Sequence, residues 1–161
     1  MIADSYLVPQ GSVAPRSFGG LMALYESNYI KLDALIGGLE KLRGRWTSVT
    51  AGDLPLQLLV DECSRYTRVI RLTYLIPDQR GELLDPDLRL RIYLDARMAE
   101  VTGWAKRHRH AVLSRLRWQH RRELDRRWSR NIMLSKWLDY LWERGHGSHS
   151  LRRASACTQA D

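Results

Sequence analysis

What most constrains this chain is a change of apolar period, from helical spacing to strict alternation and back, along its 161 residues. After Ser17, the residues Leu21, Leu24, Tyr25, Asn28, Leu32, Leu35, Ile36 and Leu39 recur at three- and four-residue steps, the spacing of one helix face. Ser17 is placed to cap the start, and Gly37-Gly38 to end the helix, with Leu39 to Leu42 as a last loose turn. Asn28 is the polar exception on that face. A buried amide needs hydrogen-bond partners, so it predicts either a tie to neighbouring backbone or part of a site.

From Pro55 the period becomes two. Leu56, Leu58 and Val60 alternate with Gln57 and Asp61, and beyond Ser64-Arg65 the residues Tyr66, Arg68, Ile70, Leu72, Tyr74 and Ile76 alternate with Thr67, Val69, Arg71 and Thr73. These are strands, arranged as an antiparallel hairpin. Pro77 to Asp87, with Pro77, Gly81 and Pro86 separating four acids, has loop composition. Leu88, Leu90, Ile92 and Leu94 then oppose Arg89, Arg91 and Tyr93. Met98 and Val101 cannot share one face of a regular strand, so a bulge or tight turn is expected after Asp95-Ala96. Residues 105–117 read equally as a fifth strand or the start of a helix. From Glu123, helical spacing returns through Leu124, Trp128, Ile132, Leu134, Trp137, Leu138, Leu141 and Trp142, and ends at Gly145. The prediction is an α+β domain over residues 17–146. Its antiparallel sheet has three to five strands flanked by an N-terminal and a long C-terminal helix, with a disordered leader at 1–16 and a disordered tail at 147–161.

A chain this long buries roughly two thirds of its unfolded surface, so its core needs no metal or disulfide. No stretch approaches the ~18 to 20 apolar residues that cross a bilayer, so no membrane partner is expected. The first twenty residues lack the basic cluster and apolar run of a secretory signal. Cys63 and Cys157 form no CxxC or zinc spacing, which suits a reducing cytoplasm, and Cys63, in an apolar segment, is expected to be a small buried hydrophobe.

Charge is unevenly distributed. Residues 1–104 hold 12 Lys+Arg against 13 Asp+Glu, whereas residues 105–161 hold 14 against 5. Within that block, residues 106–130 carry ten basic and two acidic side chains, with Trp118 and Trp128 interleaved. Such a segment attracts polyanions and can stack bases, and Arg121, Arg122 and Arg127 are its candidate nucleic-acid contacts. The plainer account is also available: Arg outnumbers Lys 22 to 4 throughout, and Trp at helical spacing belongs to a core. His146 and His149 form no recognisable ligand geometry.

There is no Walker loop, GxGxxG, HExxH or GxSxG, so no nucleotide, metal or acyl-transfer signature is present and no cofactor is expected. Four motifs carry a resemblance instead: Leu24-Tyr25-Glu26-x-Asn28-Tyr29-x-x-Leu32; Glu62-x-x-Arg65-Tyr66-Thr67; Arg91-x-Tyr93-x-Asp95-Ala96-x-x-Ala99-Glu100-Val101; and Asn131 with Trp137-Leu138 and Gly145. Over roughly residues 20–146 the chain resembles the YqiB-like family, short bacterial proteins grouped under a domain of unknown function. The resemblance implies a bacterial cytoplasmic protein with no established reaction or cofactor, encoded near enzymes that hydrolyse nucleotides. Relatives have an acid and then a base after the aspartate matching Asp125; this chain has Arg126 and Arg127, which puts any shared ion-pair pattern there in doubt.

The motif residues also define a candidate site. If their strands are neighbours, Glu62, Arg65, Tyr66, Arg91, Tyr93, Asp95 and Glu100 converge on one sheet surface. There two Arg side chains flanked by Tyr suit a phosphate or carboxylate. The competing account pairs Arg65 with Glu62 or Asp95, and Arg91 with Glu100, as cross-strand ion pairs without a ligand. The favoured function is a non-enzymatic binding or regulatory module for an anionic, nucleotide-like ligand or a protein partner. A nucleic-acid-associated protein using residues 106–130 comes next. Third is a hydrolase of a nucleotide-like substrate with Asp95 and Glu100 as acid and base.

Overall fold

The computed structural model describes residues 17–104 and 123–154. Helix α1 spans Phe18–Ile36. The Ser17 hydroxyl accepts from the Gly20 N–H at 3.0 Å, and Gly37 closes the helix in the left-handed region at φ 80°, a conformation that favours glycine. Leu21, Leu24, Tyr25, Asn28, Leu32, Leu35 and Ile36 are all buried, as their spacing predicts. A short 3-10 turn, Leu39–Lys41, follows.

Six antiparallel strands come next: β1 (Arg45–Ser48), β2 (Leu56–Cys63), β3 (Thr67–Asp78), β4 (Gly81–Tyr93), β5 (Met98–Gly103) and β6 (Leu151–Arg153). They lie in the order β5-β4-β3-β2-β1-β6. Helix α2 spans Glu123–Glu143, and Gly145 at φ 88° turns the chain back.

The α+β class and the two helices match expectation; the strand number does not. Six strands replace three to five because both extra strands are short and nearly without apolar pattern. β1 offers one inward apolar residue, Trp46, beside the buried Ser48, and β6 offers only the buried Leu151. Pairing with β2 recruits β1, and pairing with β1 recruits β6. Part of the expected tail is therefore sheet.

The loop expected over Pro77 to Asp87 is also strand. Pro77 pairs with Glu82 and Asp78 with Gly81 around a tight turn at Gln79-Arg80, and Gly81 sits at φ 127°. Register shifts fall between Val60 and Glu62, between Leu72 and Tyr74, and between Arg89 and Leu90. The break after Asp95-Ala96 appears as a turn, with Arg97 at φ 53°.

Cross-strand partners share a face. One face carries Leu58, Ile70, Leu72, Leu88, Leu90, Ile92 and Val101, packed with Leu32 and Leu35 of α1 and with Met133, Leu134, Trp137, Leu138 and Leu141 of α2 in one continuous core. Trp137 is fully buried and meets Tyr74 edge-on at 5.3 Å between ring centroids. Trp142 and Leu124, expected on the buried helix face, are exposed. Cys63 is exposed too, at the end of β2 past the register shift between Val60 and Glu62.

Polar side chains fix the layers. Asn28 Nδ2 donates to the Asn131 carbonyl at 3.1 Å, so it is the structural tie. Asn131 Oδ1 accepts from Val101 N–H at 3.1 Å, satisfying a donor on the outer edge of β5. Lys31 Nζ pairs with Asp139 at 2.7 Å across the helices. The buried Arg68 guanidinium donates to the carbonyls of Ser64, Thr67 and Glu40.

Candidate functional site

The sheet brings the sequence-derived residues to one end. Thr67 pairs with Tyr93, and the Leu94 N–H donates to the Tyr66 carbonyl at 2.8 Å, so the β2–β3 turn lies against the β4–β5 turn. Arg91 stands opposite Glu100 on adjacent strands. The Tyr93 hydroxyl donates to Glu100 Oε1 at 2.8 Å. Burial first, and then that bond to a carboxylate, raise the Tyr93 pKa, with the neighbouring Arg91 guanidinium working against the rise. Arg91, Tyr93 and Glu100 therefore form one contiguous group at the β4–β5 edge, where Glu100 also comes within 4.0 Å of Arg127 of α2. The Tyr25 hydroxyl of α1 faces the same carboxylate from the core side; burial raises its pKa, with Glu100 adding to the rise and Arg127 of α2 working against it.

The other four residues are placed differently. Glu62 takes Arg89 at 3.3 Å. The Arg65 guanidinium carbon lies 5.1 Å from the Tyr66 ring centroid in the exposed turn, a cation–π contact. Asp95 is exposed in the facing turn. Beside them Arg71 grips Asp61 with two nitrogens at 3.0 to 3.2 Å. On this face Arg71 and Arg89 pair with Asp61 and Glu62 across strands, while Arg65 packs on the Tyr66 ring. Of the basic-block candidates, Arg121 and Arg122 lie outside the described residues, as does the strand-or-helix question at 105–117. Arg127 donates to Glu123 at 3.1 Å.

A second basic group lies at the opposite edge. Lys41, Arg43, Arg45, Arg152 and Arg153 are all exposed and gather where β6 pairs with β1: Thr47 faces Arg152, and Trp46 faces Arg153. Their fixed contacts are backbone carbonyls. Arg43 donates to Leu42 O at 2.8 Å, and Arg152 to His149 O at 2.8 Å. Among the described residues none of the five forms an ion pair, and Glu40 is the one acid within the 3-10 turn beside them. Next to this cluster is a cavity of about 160 Å³ bounded by Ile36, Lys41, Leu42, Trp46 and Leu151. Trp46 is half-buried and anchored, its indole N–H donating to the Arg43 carbonyl at 2.8 Å.

Sequence reading missed this group because its members come from two short basic runs, one on each side of the main sheet and α2. Only the pairing of β1 with β6 joins them.

A third cluster is buried. Ser48 Oγ lies 2.7 Å from His146 Nδ1 and 2.6 Å from Ser150 Oγ. His146 Nε2 lies 3.3 Å from Asp53 Oδ2, within reach of charge attraction but off the line of a well-formed hydrogen bond. Tyr74 donates to the same oxygen at 2.6 Å. Burial alone would raise the Asp53 pKa; the His146 ring, the Tyr74 hydroxyl and the Leu54 N–H outweigh it and hold the carboxyl below its ordinary value. Serine, histidine and aspartate stand in the order of an acyl-transfer triad. With Ser48 0% and His146 1% exposed, no carbonyl can reach the hydroxyl, so this cluster ties the β1–β2 loop to the end of α2. The same burial explains why His146 showed no ligand pattern in sequence.

Among the described residues, no helix is long and apolar enough to cross a membrane. No curated protein and no solved structure matches the chain. A model of the family described as a protein of unknown function (DUF1249) matches residues 31–147, from the middle of α1 to the turn after α2. Most of the chain is covered by that match, and it belongs to the DUF1249 family.

Proposed function

We propose that this protein is a non-enzymatic binding module whose ligand is an anion or an acidic partner surface. The reading rests on one observation: five cations, Lys41, Arg43, Arg45, Arg152 and Arg153, share the β1–β6 edge without an ion-pair partner among the described residues. Like charges separated by less than the ~8 to 10 Å screening length of ordinary salt repel, and a bound anion relieves such repulsion. Arginine suits the task because its planar fork meets phosphate or carboxylate with paired hydrogen bonds. The face bearing Arg91, Tyr93 and Glu100, at the opposite edge of the sheet, is a second candidate surface for the same ligand class. Its exposed ion pairs contribute only ~0 to 1 kcal/mol each, so an incoming anion exchanges with them at little cost. The motif resemblance to YqiB-like proteins adds a bacterial, cytoplasmic setting. Against a hydrolase stand the sealed Ser48–His146–Asp53 group and the separation of roles between Asp95, in an exposed turn, and Glu100, held by Tyr93.

The test is a thermal-shift and calorimetric screen with tripolyphosphate, AMP and a short RNA, at low and moderate salt. Tripolyphosphate should raise Tm, and the Lys41→Glu/Arg153→Glu double variant should abolish the shift while Arg91→Ala keeps most of it. Loss in Arg91→Ala alone would move the site to the sheet face. A shift confined to RNA and falling steeply with salt would make the partner nucleic acid. If no anion raises Tm, the reading fails.

A further inference from the structure

The cavity beside the basic edge has a shape and lining that the charge cluster alone does not explain. At about 160 Å³ it is similar in size to aliphatic cavities of ~150 Å³ that accept a benzene-sized ring. Ile36, Leu42 and Leu151 supply apolar walls. Trp46 presents an indole whose orientation is set by its bond to the Arg43 carbonyl at 2.8 Å. Gly37 and Gly38 line the same space. Gly37, at φ 80°, has no room for a Cβ, which would fall 2.9 Å from the Ser148 Cβ; a Cβ on Gly38 would project into open space.

Charge then fixes direction. The cavity begins at the C-terminal end of α1, where helix carbonyls give a partial negative charge that disfavours an anion. Lys41 stands at its rim, and Arg153 is the cross-strand partner of Trp46. An occupant carrying both a ring and a negative group is therefore held ring inward and anion outward.

We propose that this cavity takes a planar aromatic ring bearing a phosphate, with the ring against Trp46 and the phosphate between Lys41 and Arg153. The inference rests on the anion-binding reading above and names the ligand class for the same edge. Two sources share this chemistry, a free nucleotide and an exposed base of a single strand, because either presents a flat ring and a phosphate.

Calorimetric titration of the full chain with AMP, tripolyphosphate and a hexanucleotide separates the cases, using wild type, Trp46→Leu and Lys41→Glu, each checked for folding by its melting curve. AMP should bind, and Trp46→Leu should weaken it roughly ten- to a hundredfold, the loss of one stacked base, while tripolyphosphate affinity stays within about twofold. Lys41→Glu, on an exposed side chain, weakens both and serves where Trp46→Leu melts too low to titrate. Hexanucleotide binding without AMP binding, lost in Trp46→Leu, supports the proposal with a strand as the source. If tripolyphosphate binds as well as AMP and Trp46→Leu alters neither, the ring site is refuted and the anion reading survives. If none of the three binds, both fall.

Discussion

Asp53 offers the sharpest test of how this fold is held, because one carboxylate oxygen serves two partners. Tyr74 donates to it at 2.6 Å and His146 Nε2 approaches to 3.3 Å, while Tyr74 is 0% exposed. Asp53→Ala takes this acceptor from the buried hydroxyl, at ~1 to 3 kcal/mol, and removes a charge-assisted bond worth ~1.5 to 3 kcal/mol. These figures overlap, so the expected loss is ~3 to 4 kcal/mol, a large part of the ~5 to 15 kcal/mol that separates folded from unfolded domains. Urea unfolding with an unchanged slope measures it. In a Tyr74→Phe background that hydroxyl is gone, and Asp53→Ala should cost ~1.5 kcal/mol less. Costs that add within ~0.5 kcal/mol would mean the two groups are not coupled, and the reasoning fails.

The pH dependence has a fixed sign. The folded-state pKa of Asp53 lies below its ordinary value, so its ionised form contributes stability above the unfolded value of ~3.9, and that contribution is lost as pH falls through the lower folded value. Asp53→Asn, which keeps an acceptor for Tyr74, should trail wild type by ~1 to 2 kcal/mol at pH 7. The gap should close below about pH 4. A gap that widens in acid would contradict the assignment.

Asn131→Ala should cost ~2 to 4 kcal/mol, since it frees both the Val101 N–H and the packing of a fully buried side chain; hydrogen exchange should locate the loss at the Val101 amide. Lys31→Met, which removes the partner of Asp139 while keeping the apolar stem, should cost ~1 kcal/mol by urea titration, because Asp139 keeps 27% side-chain exposure and can turn to water. Trp137→Ala should cost ~3 to 5 kcal/mol, whereas Trp142→Ser, at 59% exposure, should stay within ~0.5 kcal/mol by the same measurement.

The helices and the long strands were legible because their signal is local: a residue's distance from the next apolar residue reports its face. Leu21 through Ile36, Leu56 through Val60 and Leu88 through Ile92 are placed where their period puts them. What failed to show was structure specified by a partner. β1 and β6 form because each supplies backbone groups to a neighbour, and a four- or three-residue strand with a single inward apolar side chain has no period to read. Pro77 and Gly81 look like punctuation, yet both sit in a hairpin arm that runs past the packed sheet, where exposed positions tolerate such residues. The site followed the same division. Arg91, Tyr93 and Glu100 were readable as neighbours from strand parity, while Arg45 and Arg152 meet only through a pairing of two strands that the main sheet and α2 separate in sequence.

The arginine-rich edge has a rival explanation that needs no ligand. Exposed edge strands invite pairing with other chains, and charge on them prevents it. The two edges of this sheet meet the problem differently: β5 has a donor satisfied internally by Asn131, whereas β6 is short and carries Arg152 and Arg153. Edge protection accounts for those two residues but not for Lys41 and Arg43, which precede β1 and lie in no strand, nor for a cavity kept open beside them. The accounts diverge under Lys41→Ser/Arg43→Ser, which leaves both strands intact. Edge protection predicts a monomer with unchanged anion affinity, while a binding site predicts a monomer that has lost most of it. Light scattering and titration on that one variant separate the two. If it stays monomeric with its anion affinity intact, the binding account loses the observation it rests on.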